Sequence, residues 1–330
     1  MTLGVPQPLL AGVIFLVGVV LVVGSVETFV GAVTESALAL GVSAFFLTVL
    51  LAGTDLENAI LGLAAVVDDL PSLALGTVFG EALFVLGVGV GLAGVLVPFE
   101  TTVPRTYLAL AFVSPALLLA LAADGTLSRL DGVVLTLAFV PLLVAVYLLE
   151  RGTDTRYLSA EQLEEALEDD EDELFETFEI DDDRGWVQVA VAVLAVVGMT
   201  VGSELAVTGA RDLLVVFGLS GLAFGATVMS FIASIEELFL TVEPVRQGRP
   251  HLGVGNVVGS VLFFVTANAG VLALVAPIDT GGAVVTLHWP FFLVALVLVL
   301  GILVRGRVGR PEGAVLLSVY VAYWGANLLV

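Results

Sequence analysis

Long apolar windows recur from one end of this 330-residue chain to the other. Each window is long enough to cross about 30 Å of hydrocarbon as a helix. Hydrophobic residues make up 59% of the chain, which exceeds the share typical of soluble domains. The sequence therefore predicts an all-α, multi-pass protein of the cell membrane, surrounded by the lipid bilayer. We predict ten transmembrane helices, at 9–31, 37–64, 73–98, 106–123, 130–149, 186–210, 213–242, 252–277, 283–304 and 312–330.

A single long polar segment, residues 151–185, interrupts this pattern and holds fifteen acidic residues against three arginines. We interpret it as a solvated acidic linker. The alternative is a regulatory cation sensor, although the segment lacks the D-x-D-x-D-G loop with a Glu at position 12. The predicted organisation is a first five-helix repeat at 1–150, an acidic loop at 151–185 and a second five-helix repeat at 186–330.

Basic residues indicate the orientation of the chain in the membrane. All eleven of them are arginine. Nine fall in odd-numbered connections between predicted spans and two in even-numbered ones, which places the odd connections in the cytoplasm by the positive-inside rule. Both termini are then extracellular and the acidic loop is cytoplasmic. The nine are Arg105, Arg151, Arg156, Arg184, Arg246, Arg249, Arg305, Arg307 and Arg310, and the two are Arg129 and Arg211.

The charge balance indicates the kind of source organism, and the lack of cysteine excludes two kinds of site. A net charge of −22 with no lysine is typical of proteins from halophiles, whose acidic surfaces stay hydrated at high salt. Without cysteine, disulfides and thiolate metal sites are excluded. We find no nucleophile and base constellation, so we expect no enzyme activity, no cofactor and no nucleic-acid partner.

An internal repeat is visible in the chain. The segment GSVETFVGA at 24–32 is similar to GSELAVTGA at 202–210. A second pair, GTVFGE at 76–81 and GNVVGS at 255–260, is related by an offset of 179 residues. The same offset pairs the polar residues 55–58 with 234–237. Because five spans is an odd number, the second repeat should be inverted relative to the first. Inverted repeats are typical of transporters with an ion site near the midplane.

Five of the acidic residues within the predicted spans lie in the repeated motifs, where few basic residues could neutralise them. Together their insertion costs roughly 10 kcal/mol or more, which protons, bound cations or a water-filled cavity must offset. The G-x-x-x-G spacings at Gly76/Gly80 and Gly255/Gly259 allow close helix approach, or serve helix packing alone. We predict an all-oxygen site for a hard cation, formed by Asp55, Glu57, Glu81, Glu236 and Glu237 with Thr54, Asn58, Thr77, Ser234, Asn256 and Ser260.

These motifs resemble those of the cation/Ca²⁺ antiporter superfamily, which includes the sodium/calcium exchangers. Members of this superfamily carry two inverted repeats, each with G-T-S-L-P-E on one helix and G-N-x-I-G-S on the next. The corresponding stretches here are GTDLEN at 53–58, IASIEE at 232–237, GTVFGE at 76–81 and GNVVGS at 255–260. The resemblance implies ten spans, an extracellular N-terminus and a central cytoplasmic loop.

The resemblance also implies roles for single residues. Glu237 matches a calcium-ligating glutamate, Ser234 and Ser260 match sodium-site hydroxyls, and Thr54 matches a threonine whose carbonyl helps to hold calcium. Several positions depart from the pattern, among them Val85 and Phe264, which replace polar residues four positions beyond the second-helix motif. Asn58 replaces the second essential glutamate, Glu57 and Glu236 replace the motif prolines, and Glu81 replaces a small hydroxyl residue.

We therefore expect a secondary antiporter that exchanges Ca²⁺ or a related divalent cation for Na⁺ or H⁺ by alternating access. Five acids in one cavity exceed what one divalent ion needs, which favours proton involvement. The alternatives are the same fold with other ions, as in Mg²⁺/H⁺ or Na⁺/H⁺ exchange, a passive cation channel, or a membrane scaffold without transport. His288, beside Trp289, is typical of a side chain at the membrane interface.

Overall fold

The computed structural model describes residues 7–39, 55–103, 105–150 and 185–329. Within these ranges most of the chain is helical. The α-helices are α1 Gln7–Ala39, α2 Leu56–Val67, α3 Pro71–Phe84, α4 Val90–Leu96, α5 Arg105–Leu121, α6 Arg129–Glu150, α7 Gly185–Phe217, α8 Gly221–Phe224, α9 Ser230–Ala233, α10 Ile235–Arg246, α11 Pro250–Phe263, α12 Ala269–Val275, α13 Trp289–Arg305 and α14 Arg310–Asn327.

Short π-helical segments join several of these helices, and four two-residue strands accompany them. The π-helical segments are Val85–Gly89, Gly225–Met229, Phe264–Asn268 and Val284–His288, and one 3₁₀ turn spans Ala122–Asp124. The strands are β1 Phe99–Glu100, β2 Thr126–Leu127, β3 Ile278–Asp279 and β4 Arg307–Val308.

The described residues form two compact units. The first contains α1 and α7, whose backbones pack closely at glycines. A Cβ atom at Gly18 would lie 2.7 Å from the Cα of Ala206, and one at Gly202 would lie 2.9 Å from the carbonyl oxygen of Gly18. Small residues at these positions let the two helices approach along their length.

The second unit contains the other helices and all four strands. Five of its elements recur after 179 residues with the same bounds, as the internal repeat of the sequence suggests. The pairs related in this way are α2 and α10, α3 and α11, the π-helical segments Val85–Gly89 and Phe264–Asn268, α4 and α12, and β1 and β3.

The second unit consists of two stretches of the chain, a first half within Gly53–Tyr157 and a second half within Gly218–Val330. The strands connect these two halves. β1 pairs antiparallel with β4, and β2 pairs antiparallel with β3. The first strand of each half is therefore paired with the second strand of the other half. Two copies of one motif related by a two-fold axis would produce this exchanged pairing.

Six helical segments of the described chain are long and apolar enough to cross a membrane, or seven when the bent pair Gly221–Ala233 and Glu237–Arg246 counts as one. α2 is a shorter apolar helix. The protein is thus a helical, multi-pass membrane protein. Part of the predicted span 37–64 and nearly all of the acidic loop 151–185 lie outside the described residues. The six segments are Pro8–Ser25, Pro71–Leu96, Tyr107–Asp124, Val193–Phe217, Gly253–Val275 and Val284–Arg305.

The predicted span 213–242 is wrong in its boundaries. α7 continues to Phe217 and ends at Gly218, which has a φ of 64°. This left-handed conformation is typical of a glycine that terminates a helix. A new helix then begins where the Ser220 hydroxyl accepts a hydrogen bond of 3.1 Å from the backbone N–H of Ala223. The stretch from Gly221 to Arg246 bends by 47° at its centre.

Candidate cation-binding site

Two helices of the second unit begin at polar residues that the 179-residue offset relates. Asp55 caps α2, with its Oδ1 accepting a hydrogen bond of 3.1 Å from the backbone N–H of Asn58. The side-chain amide of Asn58 donates to the other Asp55 oxygen. Ser234 occupies the same position before α10, at the bend of the chain. The first-turn N–H groups of a helix lack intrahelical partners. Oxygen atoms that accept hydrogen bonds, and negatively charged groups, are therefore favoured at both helix starts.

Glu237 lies in the first turn of α10 and is only 7% exposed. Its Oε2 accepts a hydrogen bond of 2.6 Å from Nδ2 of Asn256, and the Ser260 hydroxyl lies 2.9 Å from the same oxygen. Asn256 also donates to the Thr241 hydroxyl over 3.2 Å. Three residues of the predicted site are thus in direct contact, and Thr241 extends their polar network by one helical turn.

Glu81, on α3, is completely buried. Neither of its carboxylate oxygens has a hydrogen-bond partner among the described residues. If ionised, the Glu81 carboxylate would be repelled by those of Glu237 and Glu57. A buried carboxylate without hydrogen bonds is costly unless a proton or a cation neutralises it. Glu81 is therefore a second group that can hold a cation or a proton beside Glu237.

Glycines bring α3 against the helical stretch that leads to Ser234. A Cβ atom at Gly80 would overlap the Ser230 hydroxyl and lie 2.7 Å from the carbonyl oxygen of Ala226. A Cβ atom at Gly225 would overlap the carbonyl oxygen of Leu73. The close approach expected of the Gly76/Gly80 pair is present, and it places Glu81 next to the bent part of the chain.

The remaining predicted ligands differ in their surroundings. The Thr77 hydroxyl is buried and donates to the carbonyl oxygen of Ala74 over 2.7 Å. The Ser234 hydroxyl is buried without a hydrogen-bond partner in the described part of the chain. Glu57 is half-buried. Thr54 lies outside the described residues, and the Glu236 side chain is not described.

The four predicted acids whose side chains are described, Asp55, Glu57, Glu81 and Glu237, do not form one compact carboxylate cluster. Across the residues that the structure describes, no three Asp, Glu or His side chains are close enough to hold one metal ion. A cation bound in this conformation would therefore use at most two described carboxylates, together with amide and hydroxyl oxygens. Such mixed oxygen ligation is compatible with hard cations.

The prediction for His288 is wrong. This side chain is buried in the protein, with its Nδ1 2.7 Å from the Tyr323 hydroxyl and its ring centroid 5.5 Å from that of Phe79. Aromatic neighbours accompany histidine both at the membrane interface and in a helical core, so the local pattern does not distinguish the two. Sequence reasoning also missed Thr241 and Asn268, which are isolated polar residues outside the repeated motifs.

The sodium/calcium exchanger protein family matches residues 10–148 and 187–329 of this chain. The chain belongs to this family. The resemblance drawn from the motifs is thereby confirmed. The family is one of membrane transporters, and membership supports cation antiport in general.

Similar proteins agree with this assignment. The inner membrane protein YrbG of Escherichia coli is 31% identical over 280 residues, covering 82% of this chain and 81% of the relative. The putative antiporter CaxA of Alkalimonas amylolytica is 27% identical over 327 residues, covering 96% and 98%. A solved structure of the sodium-calcium exchanger NCX_Mj has a TM-score of 0.57 at 21% identity, covering 97% of this chain and 99% of that one. At this identity the likeness shows the shared fold.

Proposed function

We propose that this protein is a secondary antiporter that exchanges Ca²⁺ or a related divalent cation for Na⁺ or H⁺ by alternating access. The observation that carries the proposal is that two acids, Glu237 and Glu81, are buried in the core of a membrane protein. Acids at membrane depth are costly and usually mark an ion pathway. Family membership and the exchanger-like fold support the same conclusion.

Glu237 would be the main ligand of the divalent ion in this proposal. Asn256 and Ser260 hold its carboxylate in a fixed position, which lowers the cost of organising a ligand before the ion arrives. Glu81 would supply the second negative charge. The other residues proposed to face the ion at some stage of the cycle are Thr54, Asp55, Glu57, Asn58, Thr77, Ser234 and Glu236.

The proposal includes a transmembrane arrangement. We infer ten transmembrane helices in two inverted five-helix repeats, 1–150 and 186–330, with both termini extracellular and the acidic loop 151–185 cytoplasmic. The elements displaced by 179 residues and the exchanged strand pairing support the repeat. The breaks in the chain at Asp55 and Ser234 support a central site, because the interrupted parts of discontinuous helices often line the sites of transported ions.

The decisive experiment is uptake of radioactive Ca²⁺ into vesicles that contain the purified protein, with Na⁺ and pH gradients imposed separately. Exchange requires an opposing gradient of the counter-ion, and the gradient that drives uptake identifies it. A passive channel would instead conduct along the electrochemical potential of Ca²⁺ alone. Uptake that is indifferent to both gradients would contradict antiport.

Glu81 should make cation binding sensitive to pH. Protons and the cation compete for the same carboxylate oxygens, so the apparent Kd for Ca²⁺ should rise as the pH is lowered from about 8 to about 5. Glu81→Ser introduces the residue type of its repeat counterpart, Ser260. This change should flatten the negative slope of log Kd against pH by about one, the value for one exchangeable proton.

The matched control for this measurement is Glu100→Gln, which removes an exposed acid on β1. Its pH dependence should equal that of the wild-type protein. Titration of Ca²⁺ binding by calorimetry at several pH values gives the slopes. Equal slopes in the wild type and in Glu81→Ser would show that Glu81 exchanges no proton with the cation.

A further inference from the structure

Asn268 is a buried polar residue that the site described above does not include. It is the last residue of the π-helical segment Phe264–Asn268 and is 1% exposed. Neither Nδ2 nor Oδ1 of its side chain has a hydrogen-bond partner within the described ranges. A buried polar group without a partner destabilises the folded protein, and this carboxamide has two. A bound ion or water is among the explanations for such a group.

The Asn268 carboxamide lies against the face of α2 that carries Gly62. A Cβ atom at Gly62 would lie 3.9 Å from Asn268 Oδ1 and 3.1 Å from Leu272 Cδ2. Glycine at this position therefore leaves space beside the Asn268 oxygen. Asn58 precedes Gly62 by four residues in α2, so it shares the same helix face one turn away.

Asn58 supplies a second unpaired oxygen on this face. It is 1% exposed, and its Nδ2 donates to the carboxylate of Asp55. This hydrogen bond assigns the orientation of the amide, because only the nitrogen can donate. The Asn58 Oδ1 atom has no hydrogen-bond partner among the residues that the structure describes. Two neutral amide oxygens, from Asn58 and Asn268, are thus unpaired along one face of α2.

In the other half of the second unit, the polar side chain at the equivalent place has a hydrogen-bond partner within the protein. The counterparts of Asn268 and Gly62 after the 179-residue offset are Gly89 and Thr241. A Cβ atom at Gly89 would lie 3.3 Å from the Thr241 hydroxyl. That hydroxyl accepts a hydrogen bond from Asn256. The unpaired amides are therefore a property of one half only, and general helix packing of the repeat does not account for them.

We propose that the side-chain oxygens of Asn58 and Asn268 form a subsite for a monovalent alkali cation. This inference rests on the proposed antiport function and extends its site by one helical turn. Neutral amide oxygens can coordinate a monovalent cation through their dipoles, whereas Ca²⁺ and Mg²⁺ are usually held with carboxylates. The carboxylate of Asp55, already bonded to Asn58, supplies negative charge at one end of the subsite.

The test measures thermal stabilisation of the purified protein by Na⁺ and by Ca²⁺ in separate titrations. A ligand that binds only the native state stabilises it by RT ln(1 + [L]/Kd), so fitting the melting temperature against ligand concentration gives the Kd. Asn268→Leu removes both polar atoms at nearly constant volume. We expect the Na⁺ midpoint, defined as the Kd fitted in this way, to rise at least tenfold in this variant, while the Ca²⁺ midpoint changes less than twofold.

Two further variants keep the test informative. Asn268→Asp retains an oxygen and adds a negative charge, so its Na⁺ midpoint should equal or lie below that of the wild type. This variant keeps the test informative even if Asn268→Leu fails to fold. Thr266→Val is the control, because this buried hydroxyl on the same segment already donates to the Leu262 carbonyl oxygen over 2.5 Å. Its Na⁺ and Ca²⁺ midpoints should both match the wild type.

The outcomes separate this inference from the proposed function. An unchanged Na⁺ midpoint in Asn268→Leu, or a raised midpoint in Asn268→Asp, would overturn the subsite and leave antiport untouched. Stabilisation by Ca²⁺ but not by Na⁺ in the wild-type protein would also overturn it. If neither ion stabilised the wild type, the proposed function itself would fail. Equal stabilisation by Na⁺ and K⁺ would retain the subsite as one without alkali-ion selectivity.

Discussion

Replacing Glu237 with Gln should abolish Ca²⁺ transport while the protein remains folded. The substitution removes the negative charge but keeps an oxygen that can accept the hydrogen bonds from Asn256 and Ser260. The apparent affinity for Ca²⁺ should fall by more than about 100-fold, because even residues that only orient a metal ligand are worth 10–100-fold. Uptake of radioactive Ca²⁺ into vesicles measures the loss, and the melting temperature without ions measures the fold.

The control for Glu237→Gln lies on the same helix. Glu243 is an exposed acid of α10 whose Oε2 lies 2.9 Å from the guanidinium of Arg246. An exposed pair of this kind contributes at most about 1 kcal/mol. Glu243→Gln should therefore leave uptake and Ca²⁺ affinity unchanged. Near-normal transport by Glu237→Gln would exclude Glu237 as the ligand of the divalent ion.

The second large effect is expected at Gly225, where α3 meets the bent stretch of the chain. A single added methyl group would overlap the Leu73 carbonyl oxygen and lie 3.0 Å from the Thr77 backbone nitrogen. Backbone atoms cannot move aside as a flexible side chain does, so the two helical stretches must separate. We expect Gly225→Ala to cost about 1–3 kcal/mol, the usual range for overpacking, and to lower the melting temperature by several degrees.

Gly225→Ala should also weaken Ca²⁺ binding, because the shifted helices carry Glu81 and Ser234. The matched control is Gly301→Ala on α13, where an added Cβ atom would meet nothing within 4 Å. In a helix, Ala is favoured over Gly by up to about 1 kcal/mol, so the control should keep or gain stability. Calorimetry of both variants, with and without Ca²⁺, decides the comparison. Equal stability of the two variants would mean that the contact between α3 and the bent stretch is not tightly packed.

Much of the fold follows from the internal repeat of the sequence. The offset that aligns two short glycine motifs also aligns the bounds of α2 with α10 and of α3 with α11. The pairing of 55–58 with 234–237 correctly relates two equivalent positions, although the sequence analysis placed both inside continuous spans and did not predict that helices begin there. Repetition makes these features predictable, because each half supplies independent evidence for the other.

The contacts between distant elements could not be predicted in this way. The hydrogen bonds from Asn256 and Ser260 to Glu237 depend on how α11 packs against α10, although the motifs correctly suggested that these residues share a site. Asn268 has no signal in the sequence, since one amide in an apolar helix looks the same whether it is paired or unpaired. The break at Gly218 was missed because a single glycine among many in this chain carries little weight.

The exchanged strand pairing has a consequence for the history and assembly of the chain. Each half offers one strand to the other and accepts one in return, β1 with β4 and β2 with β3. A half made alone would expose unpaired strand edges, which readily capture another chain. Two identical half-length chains could satisfy both pairings by binding each other as a symmetric dimer. Gene duplication and fusion of such a dimer would produce the present architecture, with two halves free to diverge residue by residue.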